Sequence, residues 1–266
     1  MGRLDGKVAV VVGAGQTPGQ TIGNGRATAV LLAREGAHVV AVDRNLDSAR
    51  TTVDTIRDEG GQALALEADI TAERDIEGFV SETVGRLGRI DILHNNVGVS
   101  LAAGDGPVAD ITTEVFDLVT AINLRGMVMT CKHVLKVMRA QRSGAIVNIS
   151  SVAAVLDYPN IAYKTSKAGV IALTENLAIT YARYGIRVNC ILPGLMNTPM
   201  AIESRVGRGG MTREEVISQR DSRVPLGRMG TAWDTAEAAL FLASPQAGFI
   251  TGVALNVDGG QRLSTG

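Results

Sequence analysis

Cysteine is scarce in this chain of 266 residues: Cys131 and Cys190 lie on unrelated segments and form no Cys-x-x-Cys pair. That excludes a disulfide framework and a thiolate metal site, and makes a reduced, cytoplasmic setting the expectation. Histidine is scattered as well. His38, His94 and His133 form no H-x-x-x-H or H-E-x-x-H, so no metal is expected and all three read as structural. Charge of one sign is missing. The formal net charge is −1 and the pI about 6.3, which points away from nucleic acid and anionic membranes as partners. No apolar run reaches the ~18 residues that a membrane span needs. The first residues lack the layout of a signal peptide, and position 6 is not the Ser or Thr that myristoylation at Gly2 would want. Aromatics are only 3% of residues while Gly and Ala abound, a composition suited to helices packed closely on a sheet.

What is present is alternation. KVAVVV (7–12) is a β-branched run of the kind found in strands covered on both faces. A Gly-rich loop, GAGQTPGQTIGNG (13–25), leads into helical spacing stopped by Gly36. Further strands are expected at 37–43, 62–69, 89–94, 145–149, 186–192 and 252–260, with helical patterns between them. Thr71 is placed to cap the helix that ends at Leu87. Thr112 or Thr113 is placed to cap one long helix running to about Gln141. The alternation predicts a Rossmann-type α/β fold, a doubly wound parallel sheet of about seven strands with helices on both faces. No linker divides the chain, so residues 1–266 read as a single domain with a Pro- and Gly-broken flap at about 195–228. Ligands of such sheets bind beyond the carboxyl ends of the strands. Gly13, Asp43, Asp69, Asn95, Ser151 and Pro193 all fall at or just after predicted strand ends, so they share one rim.

The stretch SSVAAVLDYPNIAYKTSK (150–167) carries the chemistry. Tyr163 and Lys167 are four residues apart and share one helix face. A free tyrosine, with a pKa near ~10, is a poor base at neutral pH. A nearby ammonium favours the phenolate, and a serine at the strand end can hold a substrate oxygen. The trio suits proton transfer at a hydroxyl or carbonyl. The Gly-rich loop between strand and helix is a ready anion site, because backbone N–H groups and the helix dipole face the same point. Asp43, about twenty residues beyond the loop, can accept both hydroxyls of an adenosine ribose and would repel a 2′-phosphate. NAD is therefore favoured over NADP, with Arg44 next door as the opposing sign.

At this point the residues resemble the short-chain dehydrogenase/reductase family over essentially the whole chain. The motifs, in order, are Gly13 with GNG (23–25), Asp69, NNVG (95–98), NLRG with Asn123, the Ser/Tyr/Lys set, RVNCILPG into NTP, and ITGVALNVDGG. The resemblance implies a catalytic group of Asn123, Ser151, Tyr163 and Lys167. Tyr163 is the acid/base, and Lys167 lowers its pKa and binds the nicotinamide ribose. Ser151 orients the substrate oxygen, and Asn123 holds a water linking Lys167 to solvent. It further implies cofactor contacts from Gly13, Gly23, Gly25, Asp43, Asp69, the Ile70 amide, Asn95, Pro193, Gly194, Leu195 and Thr198. The family's usual state is a homotetramer, acting on a small-molecule substrate.

Three departures stand out. Gly13 to Gly23 spans ten positions where the family spans four, so about six residues are inserted and the roles of Gly15, Gly19 and Gly23 are open. Val12 replaces a usual threonine. The family's Ser-to-Tyr spacing fits Ser150, while its NISS pattern selects Ser151, which is the choice made. The pocket is expected to be lined by Leu101, Val152, Leu156, Tyr158, Met196 and Met200, with Asp157 the one obvious charge. That wall suggests a hydrophobic or alicyclic secondary alcohol or ketone. Two other readings stay open: an NADPH-dependent 3-oxoacyl-type ketoreductase docking a carrier on Lys132, Lys136, Arg139 and Arg142, and a non-catalytic dinucleotide-binding sensor.

Overall fold

The computed structural model describes residues 2–264. Its strands are β1 (Val8–Val12), β2 (His38–Asp43), β3 (Gln62–Glu67), β4 (Ile92–Asn95), β5 (Gly144–Ile149), β6 (Ile186–Pro193) and β7 (Ala254–Val257). Its helices are α1 (Asn24–Arg34), α2 (Leu46–Asp58), α3 (Glu73–Leu87), α4 (Thr113–Thr120), α5 (Gly126–Gln141), α6 (Ile161–Tyr181), α7 (Pro199–Glu203), α8 (Arg213–Asp221) and α9 (Ala232–Ala243). The seven strands form one sheet in the order β3-β2-β1-β4-β5-β6-β7. Every adjacent pair is parallel.

The β-branched runs explain the layering. In β1, Ala9 and Val11 face one core with α1 and α9, while Val8, Val10 and Val12 face the other with α3 and α5. A strand whose two faces both meet helices needs no polar alternation, which is why KVAVVV reads as continuous. The strand order reverses between β1 and β4, and this is the topological switch point where such sheets open a crevice at their carboxyl ends.

Two helix expectations are corrected. Thr71 does not cap α3: its N–H and its hydroxyl both donate to Asp69 Oδ1, each at 2.8 Å, and the helix starts after Ala72. Both bonds fold Thr71 back onto the carboxylate two residues before it, in a local turn that ends before the helix begins. The single long helix expected from Thr112 is two helices, α4 and α5, joined by a π turn at Ala121–Arg125. Thr112 does cap α4, accepting from the Val115 N–H.

Candidate active site

Ser151 follows β5 and Tyr163 and Lys167 lie in the first two turns of α6, so a strand end and a helix start converge. Lys167 is only 2% exposed. Its Nζ donates to the Ile149 carbonyl at 2.9 Å and stands 5.7 Å from the centre of the Tyr163 ring. No carboxylate pairs with it among the described residues, and burial lowers its pKa to about 8. Burial pushes the Tyr163 phenol up to about 12, while the Ser151 hydroxyl and the Arg205 charge act the other way. Ser150 and Ser151 part company here. The Ser150 hydroxyl is buried and donates to the Lys167 carbonyl at 2.7 Å, a structural bond. The Ser151 hydroxyl accepts from the Ala153 N–H and stays beside the phenol.

The π turn displays Asn123, which is fully buried. Its Oδ1 accepts from the Val99 N–H at 2.8 Å, and its Nδ2 donates to the Val99 carbonyl and the Ser166 hydroxyl. Insertions of this kind widen one turn of a helix and recur at functional sites. Gly98 lies between the two polar groups: a Cβ built there would sit 3.1 Å from Lys167 Nζ and 3.6 Å from Asn123 Oδ1. The missing side chain lets the Gly98 backbone pass close to both groups.

A residue the sequence did not reveal orients Tyr163. Asp105, buried in the loop after β4, accepts from the Ala162 N–H at 3.1 Å and the Tyr163 N–H at 2.9 Å. It thereby caps α6, whose own N-cap residue Asn160 makes no side-chain cap bond. A carboxylate at a helix N-terminus is favoured by the unpaired amides and the dipole.

The glycine loop forms the other end of the crevice. Gly13 has φ of 81°, and a Cβ at Gly25 would collide with the Gly13 carbonyl oxygen. Gly15 donates to Asp43 Oδ2 at 2.9 Å, and a Cβ there would lie 2.8 Å from the Asp43 carboxylate. The inserted residues form a pinned excursion. Gln16 closes it by accepting from the Gly23 N–H at 2.9 Å, so that amide is not a free phosphate donor. Gly19 at its tip packs against Pro199 and Glu203 of α7. Among the described residues, Thr21 Oγ1, Asn24 Oδ1 and Asn197 Oδ1 are buried without a hydrogen-bond partner. Gly25 lets the start of α1 pack directly on the Gly13 backbone, and that close loop-to-helix turn, the unpartnered Asn24 Oδ1 at the start of α1 and the Asp43 carboxylate together fit a dinucleotide.

Other expected contacts are placed as follows. Asp69 follows β3, and Ile70 is buried against Gly126. The Asn95 side chain is turned inward and donates to Asn148 Oδ1 at 2.9 Å, so only its backbone is offered at the rim. Pro193 ends β6, Gly194 donates to the Val257 carbonyl, and the Leu195 N–H is held by Gln261. Thr198 precedes α7 without making a side-chain cap bond. Of the expected pocket wall, Val152 instead packs with Cys190 and Leu192, and Met196 is buried. Asp157 faces solvent. The nearby positive charge is Arg205, which follows α7 and acts to lower the Tyr163 pKa. The Tyr158 and Tyr163 rings lie 5.6 Å apart.

A family model described as Enoyl-(Acyl carrier protein) reductase matches residues 19–262. The chain is 36% identical over 264 residues to levodione reductase of Leifsonia aquatica, covering 97% of this chain and 95% of that one. A solved structure from Burkholderia xenovorans, described as a short-chain dehydrogenase/reductase, superposes with a TM-score of 0.91 at 40% identity, with 100% of both chains covered. That of NAD+-bound xylitol dehydrogenase gives 0.86 at 36% identity, covering 97% of this chain and 99% of the other. The chain belongs to the short-chain dehydrogenase/reductase family. It is an NAD(P)-dependent oxidoreductase of alcohol and ketone groups. No helix among the described residues is long and apolar enough to cross a membrane.

Proposed function

We propose that the protein is an NAD-dependent oxidoreductase interconverting a secondary alcohol and a ketone, built as a single domain with a substrate flap. The observation that carries this reading is Lys167: a buried ammonium with no acid partner among the described residues, one helical turn from Tyr163 and hydrogen-bonded to the end of β5. Bound nicotinamide dinucleotide supplies the hydride acceptor or donor. Ser151 orients the substrate oxygen. Tyr163 gives that oxygen a proton in reduction and takes it in oxidation. The Lys167 charge favours the phenolate, and Asn123 organises the water relay to solvent.

Gly13 and Gly25 hold the loop tight against the start of α1, where the pyrophosphate binds, with Gly23 shaping the turn. Asp43 accepts the adenosine ribose hydroxyls, Asp69 and Ile70 meet the adenine, and the Asn95 backbone borders the ribose. Pro193, Gly194, Leu195 and Thr198 surround the nicotinamide. The xylitol dehydrogenase structure, which carries NAD+, supports the choice of cofactor. The carrier-docking alternative loses support. Lys132 is paired with Glu73, and Arg139 and Arg142 lie over the Tyr184 ring. A homotetramer in a reduced cytoplasm completes the reading.

The test is a fluorescence titration of NADH against NADPH on wild type and Asp43→Ala. Tighter NADH binding that Asp43→Ala erases is expected. Preference for NADPH would transfer the ribose site to Arg44 and favour a reductive role. Binding of neither nucleotide would leave the fold without this activity.

A further inference from the structure

α3 and α5 bring three metal-ligating side chains to one point, and none of them is used by the site described above. Glu73 and Glu77 stand one turn apart on one face of α3. His133 reaches them from α5, 60 residues along the chain from Glu73. Its Nε2 lies 2.8 Å from Glu73 Oε1 and 3.7 Å from Glu77 Oε1. One ligand atom from each of the three residues falls within 4.8 Å of the other two.

Two features set this group apart from an ordinary acidic patch. One donor is an imidazole, and His133 is only 5% exposed. Among the described residues its polar contacts are the two carboxylates. Packing between the helices therefore aims a nitrogen ligand at the two acids, and imidazole is the commonest metal ligand among side chains. The second feature is a cation already drawn to the spot: Lys132 Nζ donates to the same Glu73 oxygen at 2.6 Å. That side chain is half-exposed, so its ammonium can leave for water at little cost. Glu77 has no lysine or arginine within 4.0 Å among the described residues.

The spacing suits one ion. Zinc holds imidazole nitrogen and carboxylate oxygen at ~2.0–2.2 Å in a tetrahedron, so its ligand atoms stand about 3.4 Å apart. The separations of 2.8 and 3.7 Å from His133 bracket that edge. An imidazole beside two carboxylates favours zinc over magnesium and calcium, which take oxygen ligands.

We infer that Glu73, Glu77 and His133 form a zinc site that clips α3 to α5, with a water as the fourth ligand. The dication takes the place of the Lys132 ammonium and balances both carboxylates. Its role is structural, tying the first two turns of α3 to the middle of α5. The sequence reads His133 as structural because no short motif joins it to the two acids; only the packing of α5 on α3 does.

The probe is zinc chloride, titrated calorimetrically into the untagged, chelator-treated full chain, with the melting temperature read beside it. One zinc per chain is expected, and zinc at ~100 times its Kd should raise the melting temperature by about 5 °C or more. Glu77→Gln and His133→Gln should each weaken binding at least ~10-fold and cancel most of that rise. Lys132→Met removes the competing ammonium and should tighten binding about tenfold. Glu77 is exposed, so its variant keeps the test open if His133→Gln does not fold. Wild type that binds no zinc saturably overturns the site. Binding that Glu77→Gln leaves undiminished marks an adventitious ion only and overturns it as well, as does weaker binding by Lys132→Met. The titration does not read turnover, so failure of the alcohol and ketone reading would leave its result unchanged.

Discussion

Lys167 Nζ stands 5.7 Å from the centre of the Tyr163 ring, on the same face of α6 and one turn further along. Its burial lowers the folded pKa to about 8 from a usual 10.5. The folded state then binds fewer protons than the unfolded chain between those values, so this group's contribution to stability rises with pH across that window. Relative to Lys167→Met, in which the group is absent, wild type should gain up to roughly 3 kcal/mol between pH 8 and 10.5. Urea melts of both proteins across the window check the sign. Activity of Lys167→Met should fall by at least ~100-fold at pH 7.

The two serines should separate function from structure. Ser151→Ala is expected to cut kcat by about 100-fold or more with little change in melting temperature. Ser150→Ala removes the bond to the Lys167 carbonyl and should cost about 1 kcal/mol, with activity largely kept. Steady-state kinetics beside thermal melts decide it, and the reverse ranking would move the catalytic serine.

Asp43→Ala should relax the nucleotide preference. A carboxylate ~4 Å from a 2′-phosphate costs about 4 kcal/mol at an effective dielectric near ~20, close to a thousandfold. Its removal also frees the Gly15 and Asn45 amides that it now accepts from. NADPH binding should therefore improve while NADH binding weakens, both read by titration.

Gly25→Ala tests the close approach of loop and helix. The added methyl would meet the Gly13 carbonyl oxygen, a backbone atom that cannot swing aside. Loss of nucleotide binding is expected even where circular dichroism shows a folded protein.

Asp105→Ala should lower kcat without touching the phenol directly. It releases the Ala162 and Tyr163 amides and costs about 1–2 kcal/mol of α6 stability. Asp105→Asn, which keeps one acceptor oxygen, should restore much of both. A merely structural role would move the melting temperature and leave kcat alone.

The sheet was legible because its code is local. β-Branched runs, glycine stops and strand-end acids each act within a few residues, so β1, α1 and Asp43 could be placed from the string. The pairing of Tyr163 with Lys167 was legible for the same reason, since helix periodicity sets it. What escaped was set across the chain. Asp105 is 58 residues from the Tyr163 amide it holds, and nothing near either marks the bond. AINLR has ordinary helix-forming residues, so its π turn is dictated by the bonds of Asn123 to Val99 and Ser166. Arg205 reads as a surface charge in a polar flap, and only packing brings its charge to bear on the Tyr163 phenol. The role of Gln16 in pinning the inserted loop depends on a chain reversal that length alone does not dictate.

The contact of Gly19 with Pro199 and Glu203 joins the two ends of the crevice. One side of that junction leads back to the loop that receives the nucleotide phosphates. The other is a five-residue helix closely followed by Arg205. Whatever settles the loop also settles the wall against which the second reactant lodges. The kinetic outcome expected from this coupling is a compulsory order, nucleotide first on and last off. Product-inhibition plots should then be competitive only between the two nucleotide forms.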